Sequence, residues 1–443
     1  MGSRIPGRVD GPGPLFAVFF GIVYLAGVLD DSEVLSARSR LTDVVGLGVL
    51  TRLVHRDLVD EVVARTGRRE ARSRLLPARV VVYLVLALCL FTTDGYEEVV
   101  RKLTNGLRGL RIWRDEWKVP VPSAVSKARA RLGSEPMAEL FRQVCVPIAK
   151  PSTPGAFCAG FRVMAIDGVV LDVPDTPENE AEFHRRNAGT TRAGAFPQVR
   201  IVSLTECGTH ASVWAEFDTW KVGERALAAK MTAQFTTGML ILADRGFYSY
   251  DFWKDSASNG AQLLWRVPNN LDLPVLGALP DGSYRSELVP GQVKAAIKAG
   301  GRASRADGLR ISVRVIEYML TNRGESETIR LVTSIADHTL APALELAGLY
   351  AQRWEHELTF DEIETHQMHP GRVLRSRTPD LVKQEVWALL ITHYAVRAFI
   401  TEAADDLGAD PDRYSFTRAI NVIRRQVLNQ AAISPLRTPQ IDA

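Results

Sequence analysis

Three acidic residues stand in sequence contexts from which carboxylates could converge. Asp167 lies in VMAIDGVVLDV, a strand-like run, Asp244 ends the apolar run GMLILA, and Glu357 lies in the helical run LYAQRWEHELTFDEIE. Carboxylates from separate elements are what a site for two Mg²⁺ ions needs, because Mg²⁺ takes oxygen ligands in octahedral geometry. The reaction class such a set serves is metal-assisted phosphoryl transfer. Position matters more than residue type, since the chain has 51 acidic residues to choose from. Asp167 interrupts an apolar strand, where an unpaired carboxylate is costly; a strand end facing solvent is the plainer alternative. Asp172 and Asp175 compete with it. Asp172 is an odd number of residues away, so on a regular strand it faces the opposite side. Asp244 sits at the end of a buried strand, where α/β sheets place ligands, and Gly246 allows a tight turn beside it. An Asp that merely opens a turn fits there equally well.

The helix carries the strongest local pattern. Tyr350, Arg353, Glu357 and Glu364 lie at offsets 0, 3, 7 and 14, which share one stripe of an α-helix. A stripe of Tyr, Arg and Glu is not a core seam. Arg353 and Glu357, four apart, would also suit a surface ion pair of ~0.2–0.5 kcal/mol. Glu355 and Glu362 point elsewhere and are expected to be solvated. His366 and His369 beside Glu364 lack the HExxH spacing of a zinc helix.

Elements must bring these groups together. From Leu41 to Phe141 the pattern is helical, with RVVVYLVLALCLF (79–91) apolar all round and so expected as a buried central helix. VPVPSAVSKARARLG (119–133) predicts a short helix capped by Ser123, ending at Gly133 and carrying Lys127, Arg129 and Arg131. It suits the second helix of a helix-turn-helix or a solvated basic face. After the turn-rich PSTPG (151–155), FRVMAIDGVVLDV, QVRIVSLTECG and HASVWAEFDTW read as three strands, GERALAAKMTAQF as a helix and GMLILADRGF as a strand. This β-β-β-α-β order opens an RNase H-like, mixed-sheet α/β (α+β) core. Strand patterns return from Ala261 to Ile335, and helices follow to the end of the chain.

Composition sets wide bounds. With 443 residues, 46% apolar and 24% charged, the chain can form several structural units around a sizeable core. A net charge of +3 does not by itself argue for nucleic-acid binding, so any such contact must come from local patches. Four cysteines without CxxC spacing make a disulfide framework or a zinc site a poor fit. The apolar run LFAVFFGIVYLAGVL (15–29) is shorter than the ~20 residues that span a bilayer. Arg4 and Arg8 precede it as in a signal peptide, yet no A-x-A site follows cleanly. A buried helix or an extension from an upstream start codon accounts for it without a membrane.

AIDG (165–168), ADRGFYSYDFW (243–253) and Tyr350-x2-Arg353-x3-Glu357 together resemble the DDE transposases of bacterial insertion sequences, in the subgroup with a Tyr-Arg-Glu-Lys motif. The resemblance runs from about Leu41 to about Ile400 and takes in DVPDTPEN (172–179), AFPQVR (195–200) and VLRSRTPDLVKQEVWALL (373–390). It implies that Asp167, Asp244 and Glu357 are catalytic and hold two Mg²⁺ ions, with Mn²⁺ as a substitute. It implies DNA contacts from Tyr350 and Arg353 near the cleaved end and favours them for Lys127, Arg129 and Arg131 in the helical domain; beside it, Trp265 and Trp354 are candidates for stacking on an unstacked base. A structural, buried Trp265 is the plainer expectation, and the basic loop RVLRSRTPD (372–380) suits phosphate contact or a solvated loop alike.

The implied layout is an apolar extension (1–36), a helical DNA-binding domain (37–155), an RNase H-like core in two parts (156–260 and 336–405), a β-rich insertion (261–335), and a C-terminal helix and tail (406–443). The implied activity is cut-and-paste transposition in the cytoplasm, on nucleoid DNA. Its partners are double-stranded DNA, as terminal inverted repeats and target, and a second copy in a dimer on DNA. No small-molecule substrate and no membrane are expected. One departure opens an alternative. The family's Lys, seven residues after the Glu, is Glu364 here. A catalytically impaired, DNA-binding relic is the second reading.

Overall fold

The computed structural model describes residues 49–72, 76–108, 119–187, 193–300, 306–322, 325–352 and 359–429. The apolar run 15–29 lies outside them, as do Arg353, Trp354, Glu355, Glu357 and the tail from 430. Residues Val45–Ala443 form one compact unit.

Its first part is helical: α1 (Val49–Leu53), α2 (Arg56–Arg65), α3 (Ala78–Leu90), α4 (Tyr96–Arg108), α5 (Pro122–Leu132) and α6 (Glu135–Val144). The all-apolar sequence of α3 makes it central, and nearly every side chain on it is buried. Helix α5 begins one residue before the expected cap. Val121 precedes it and Pro122 occupies the first turn, where its missing N–H costs nothing. Gly133, at φ 72°, closes it as expected.

The strands follow: β1 (Phe157–Cys158), β2 (Phe161–Asp172), β3 (Arg185–Asn187), β4 (Ala193–Glu206), β5 (Ala211–Thr219), β6 (Met239–Ala243), β7 (Gln262–Arg266), β8 (Gly277–Ala278), β9 (Tyr284–Leu288), β10 (Ile311–Asn322) and β11 (Glu325–Thr333). Short helices α7 (Pro177–Phe183), α8 (Glu224–Ala229), α9 (Tyr250–Ala257) and α10 (Gly291–Lys298) interrupt them. α10 was not legible in the sequence, where GQVKAAIK fell inside a strand-rich stretch. One sheet runs β3-β4-β2-β6-β7-β11-β10-β9-β8, with β5 added on β4 and β1 on β2. β2, β4 and β5 form an antiparallel meander, and β6 and β7 lie parallel to β2. That order and sense is an RNase H-like core. β11 pairs antiparallel with β7, so the β-rich segment continues the same sheet.

The two faces of the sheet bury separate cores. On one, Met164, Ile166, Ile241, Leu263 and Trp265 pack with Leu227 of α8 and Phe252 and Trp253 of α9. On the other, Val163, Ala165, Leu240, Leu242 and Leu264 pack with Leu346, Leu349 and Tyr350 of α11 (Ala343–Gln352). A π-helical turn (Glu362–Gln367), the 28-residue α12 (Pro379–Asp406) and α13 (Phe416–Asn429) complete the chain. α12 packs on α3, α6 and β5, so the N-terminal helices and the sheet share a core through it. No helix among the described residues is long and apolar enough to cross a membrane.

Candidate active site

Strand parity places the first two carboxylates. Val163 and Ala165 face α11, and Asp167 shares their side of the sheet by strand alternation. Leu240 and Leu242 of β6 face the same side, and Asp244 continues their parity. In the parallel pairing Ala165 stands opposite Leu242. Two residues on, Asp167 and Asp244 share that side of the sheet, just past the last paired residues of the two strands. β6 ends at Ala243 while β2 runs on to Asp172 against β4. The flank of β2 opens where Asp167 stands, at the end of the parallel pair.

Local geometry fixes each group. Asp167 Oδ1 accepts from the Gly168 N–H at 2.8 Å. Gly168 faces the opposite side, where a Cβ would lie 3.1 Å from the Glu224 side chain. The AIDG glycine thus lets α8 close on the sheet behind Asp167. Asp244 precedes the single turn Arg245–Phe247, and its carbonyl accepts from Phe247 N–H at 3.0 Å. Tyr350, expected at a DNA phosphate, is instead buried, 3% exposed. Its hydroxyl donates towards Asp244 Oδ1 at 3.4 Å and lies 3.5 Å from the Ala243 carbonyl. Tyr350 and Asp244 therefore meet, and Asp167 shares their side of the sheet. Their oxygen donors suit a hard divalent cation. Among the described residues no three His, Cys, Asp or Glu side chains stand together to hold a metal; Glu357 is outside them.

Comparison with known proteins gives this geometry its family. Residues 44–142 match the family described as Insertion element 4 transposase N-terminal, and residues 159–394 match the Transposase DDE domain. The chain is 30% identical over 389 residues to the Transposase InsG for insertion sequence element IS4 of Escherichia coli (strain K12), spanning 87% of this chain and 84% of that protein. The chain belongs to the IS4 family of DDE transposases. It is a metal-dependent enzyme that binds and cleaves DNA in the transposition of an insertion sequence. Among solved structures it aligns with a piggyBac transposase synaptic complex with hairpin DNA at TM-score 0.46 and 12% identity, over 89% of this chain and 82% of that one. A likeness that loose bears on neither site nor mechanism.

Several residues expected to touch DNA in this transposase are placed otherwise. Trp265 is fully buried and faces α9, away from Asp167 and Asp244. Its ring packs 5.0 Å from Phe252 and 5.1 Å from Trp253. It cannot stack on a base, because the alternation of β7 turns it into the core. Arg129 is 1% exposed. Its guanidinium donates to Gln384 Oε1 and Ser376 Oγ at 2.9 Å and to Tyr96 OH at 2.8 Å. That Arg ties α5 to α12 instead of reaching DNA. Lys127 is exposed, and Arg131, also exposed, pairs with Glu70 at 3.4 Å and donates to Leu76 O at 3.1 Å. Arg68, Arg69 and Arg72 are exposed on the adjoining segment, and Arg68 reaches the Arg131 carbonyl. The arginine-rich TGRREAR (66–72) was the available signal for them.

One further expectation fails, and another lies partly outside the described residues. Glu362 is buried, not solvated: it accepts from His393 Nε2 at 2.9 Å and Arg397 Nε at 2.8 Å. The turn that holds it is π-helical, with the Met368 N–H bonded to Ile363 O at 2.8 Å. An i→i+5 turn rotates the following side chains out of α-helical phase. The stripe from Tyr350 to Glu364 runs through residues 353–358, outside the described residues. Glu364 is exposed beside Asp172 and Asp361. The basic loop 372–380 divides. Arg375 donates to the carbonyls of Leu88, Thr92 and Asp94, whereas Arg372 and Arg377 are exposed. Thr176 and Asn179 of DVPDTPEN bond the carbonyls of Arg377 and Ser376, so these two motif segments brace one another.

Proposed function

We propose that Asp167, Asp244 and Glu357 hold two divalent cations, Mg²⁺ with Mn²⁺ as a substitute, for cut-and-paste transposition. The observation that carries the reading is that Asp167 of β2 and Asp244 after β6 share the side of the sheet where α11 presents Tyr350, just past the last parallel pairing of their strands. When bound, the cations supply Lewis-acid stabilisation of the scissile phosphate and ease deprotonation of the attacking hydroxyl. The chain's residues do the placing. The two aspartates fix carboxylate oxygens on a rigid sheet, Tyr350 steadies Asp244 from above, and Arg353 meets a backbone phosphate. In the first reaction water attacks the phosphorus at the element's end and the 3′-oxygen leaves. In the second, that 3′-OH attacks a target phosphodiester and displaces its 3′-oxygen.

Terminal inverted repeats are read by the helical region, through Lys127 and Arg131 on α5 together with Arg68, Arg69 and Arg72. Joining two ends to one target calls for a dimer on DNA, working on the nucleoid in the cytoplasm. The test is substitution without loss of volume. Asp167→Asn, Asp244→Asn and Glu357→Gln should each abolish Mg²⁺-dependent cleavage of an end-bearing duplex, with end binding within about twofold of wild type. Robust cleavage by any one of them removes that residue from the set.

A further inference from the structure

The β-rich segment between β7 and α11 does more than extend the sheet. Asp281, in the turn between β8 and β9, is largely buried, with its side chain 17% exposed. Its Oδ2 accepts from the Ala343 N–H at 2.9 Å. Ala343 is the first residue of α11, and Pro342 before it offers the helix no side-chain cap. The free N–H groups of a first helical turn need acceptors, and a carboxylate there also meets the positive end of the helix dipole. Asp281 is that acceptor, from 62 residues away.

Its position is set in turn by the segment's own core. Arg314 of β10 is 1% exposed. It pairs with Asp281 and donates to Ser283 Oγ at 2.8 Å and to the Ala341 carbonyl at 2.7 Å. One guanidinium therefore grips the β8–β9 turn and the approach to α11 at once. Ser283 also donates from its backbone and side chain to Asp281. Partial burial alone would raise the Asp281 carboxyl. The bonds from Ser283 and Ala343 and the Arg314 charge outweigh it and hold the carboxyl down at about 2. It is ionised wherever the enzyme works.

Two turns along from Ala343, the same helix presents Tyr350 to Asp244. We infer that Asp281, locked by Arg314, is a positioning residue for the reaction: it sets α11 along its axis so that Tyr350 meets Asp244. The inference rests on the reading of Asp244 as a metal carboxylate. It gives the β-rich segment a part in building the site from behind, besides any contact it makes with DNA.

The experiment uses the full chain and three readouts: single-turnover cleavage at saturating end DNA, end affinity without metal, and Mn²⁺ affinity of the DNA-free protein by calorimetry. Losing a helix cap of 1–2 kcal/mol corresponds to roughly 5- to 30-fold. Asp281→Ala should lose cleavage and Mn²⁺ affinity by about that factor, with end affinity within about twofold. Asp281→Asn keeps an acceptor for Ala343 and should recover most of the loss. Wild-type cleavage and Mn²⁺ affinity in Asp281→Ala overturn the inference. So does a parallel fall of end affinity and melting temperature that Asp281→Asn does not reverse. Should Asp281→Ala not fold, Asp281→Glu replaces it: the charge remains, the longer side chain displaces α11, and wild-type behaviour overturns the inference equally. Asp244→Asn is run alongside. If it still cleaves and binds Mn²⁺, the metal assignment has failed; if it is inactive while Asp281→Ala matches wild type, only the positioning role has.

Discussion

Partial burial, Asp361 and Asp172 push the Glu364 carboxyl above the usual glutamate range. A raised carboxyl contributes stability that is full below its unfolded value and is lost as pH rises through the folded one. Around neutral pH the ionised Glu364 therefore works against the fold. Glu364→Gln should melt higher than wild type at pH 7 to 8 and no higher near pH 4. The gain should stay under ~1 kcal/mol, because the group is exposed and screened. A Lys in its place would find Asp172 and Asp361 beside it. Glu364→Lys should therefore raise cleavage or strand transfer, by ~10- to 100-fold if a charge-assisted phosphate bond of ~1.5–3 kcal/mol is regained. A side-by-side assay on the element's own ends checks this. Equal rates would show that the charge at position 364 is neutral for the reaction.

At the scale of elements, helix α5 separates charge from contact. Lys127 and Arg131 face outward while Arg129 is consumed by Gln384, Ser376 and Tyr96. Lys127→Ala with Arg131→Ala should weaken end binding and flatten its logarithmic salt dependence by up to ~2, the counterions of two phosphates. Arg129→Met should instead destabilise the protein by about 3 kcal/mol or more, since it strands several buried polar partners. Urea unfolding and binding isotherms, measured where the variant remains folded, tell the two effects apart. Unchanged stability in Arg129→Met would return that residue to the DNA-facing set.

Across the whole molecule, α12 is the shared beam. It buries Leu389, Leu390, Ile391, Tyr394 and Val396 while packing on α3, α6 and β5. Removing the N-terminal helices would bare that apolar length, and exposed patches of this kind drive association. Residues 156–443 alone should therefore aggregate or elute as large species in size-exclusion chromatography. A well-folded monomer of that fragment would show that the helical region is a separable domain after all.

The order of the core strands and the central helix α3 were legible in the sequence; Tyr350, expected at DNA, is instead buried against Asp244. Periodicity reports which residues share a face, and the apolar runs around AIDG and LILAD are long enough to fix strand type. Periodicity does not report what that face meets. Arg129 reads as one more cation in SKARARL until Gln384, 255 residues away, closes over it. Glu362 reads as a solvated acid until His393 and Arg397 enclose it and the helix widens to a π turn. Trp265 and Asp281 are decided the same way, by the side of the sheet and the distant helix end they meet. Burial of a polar group depends on partners far off in the chain, and those are assigned only when the sheet and α12 bring the two halves together.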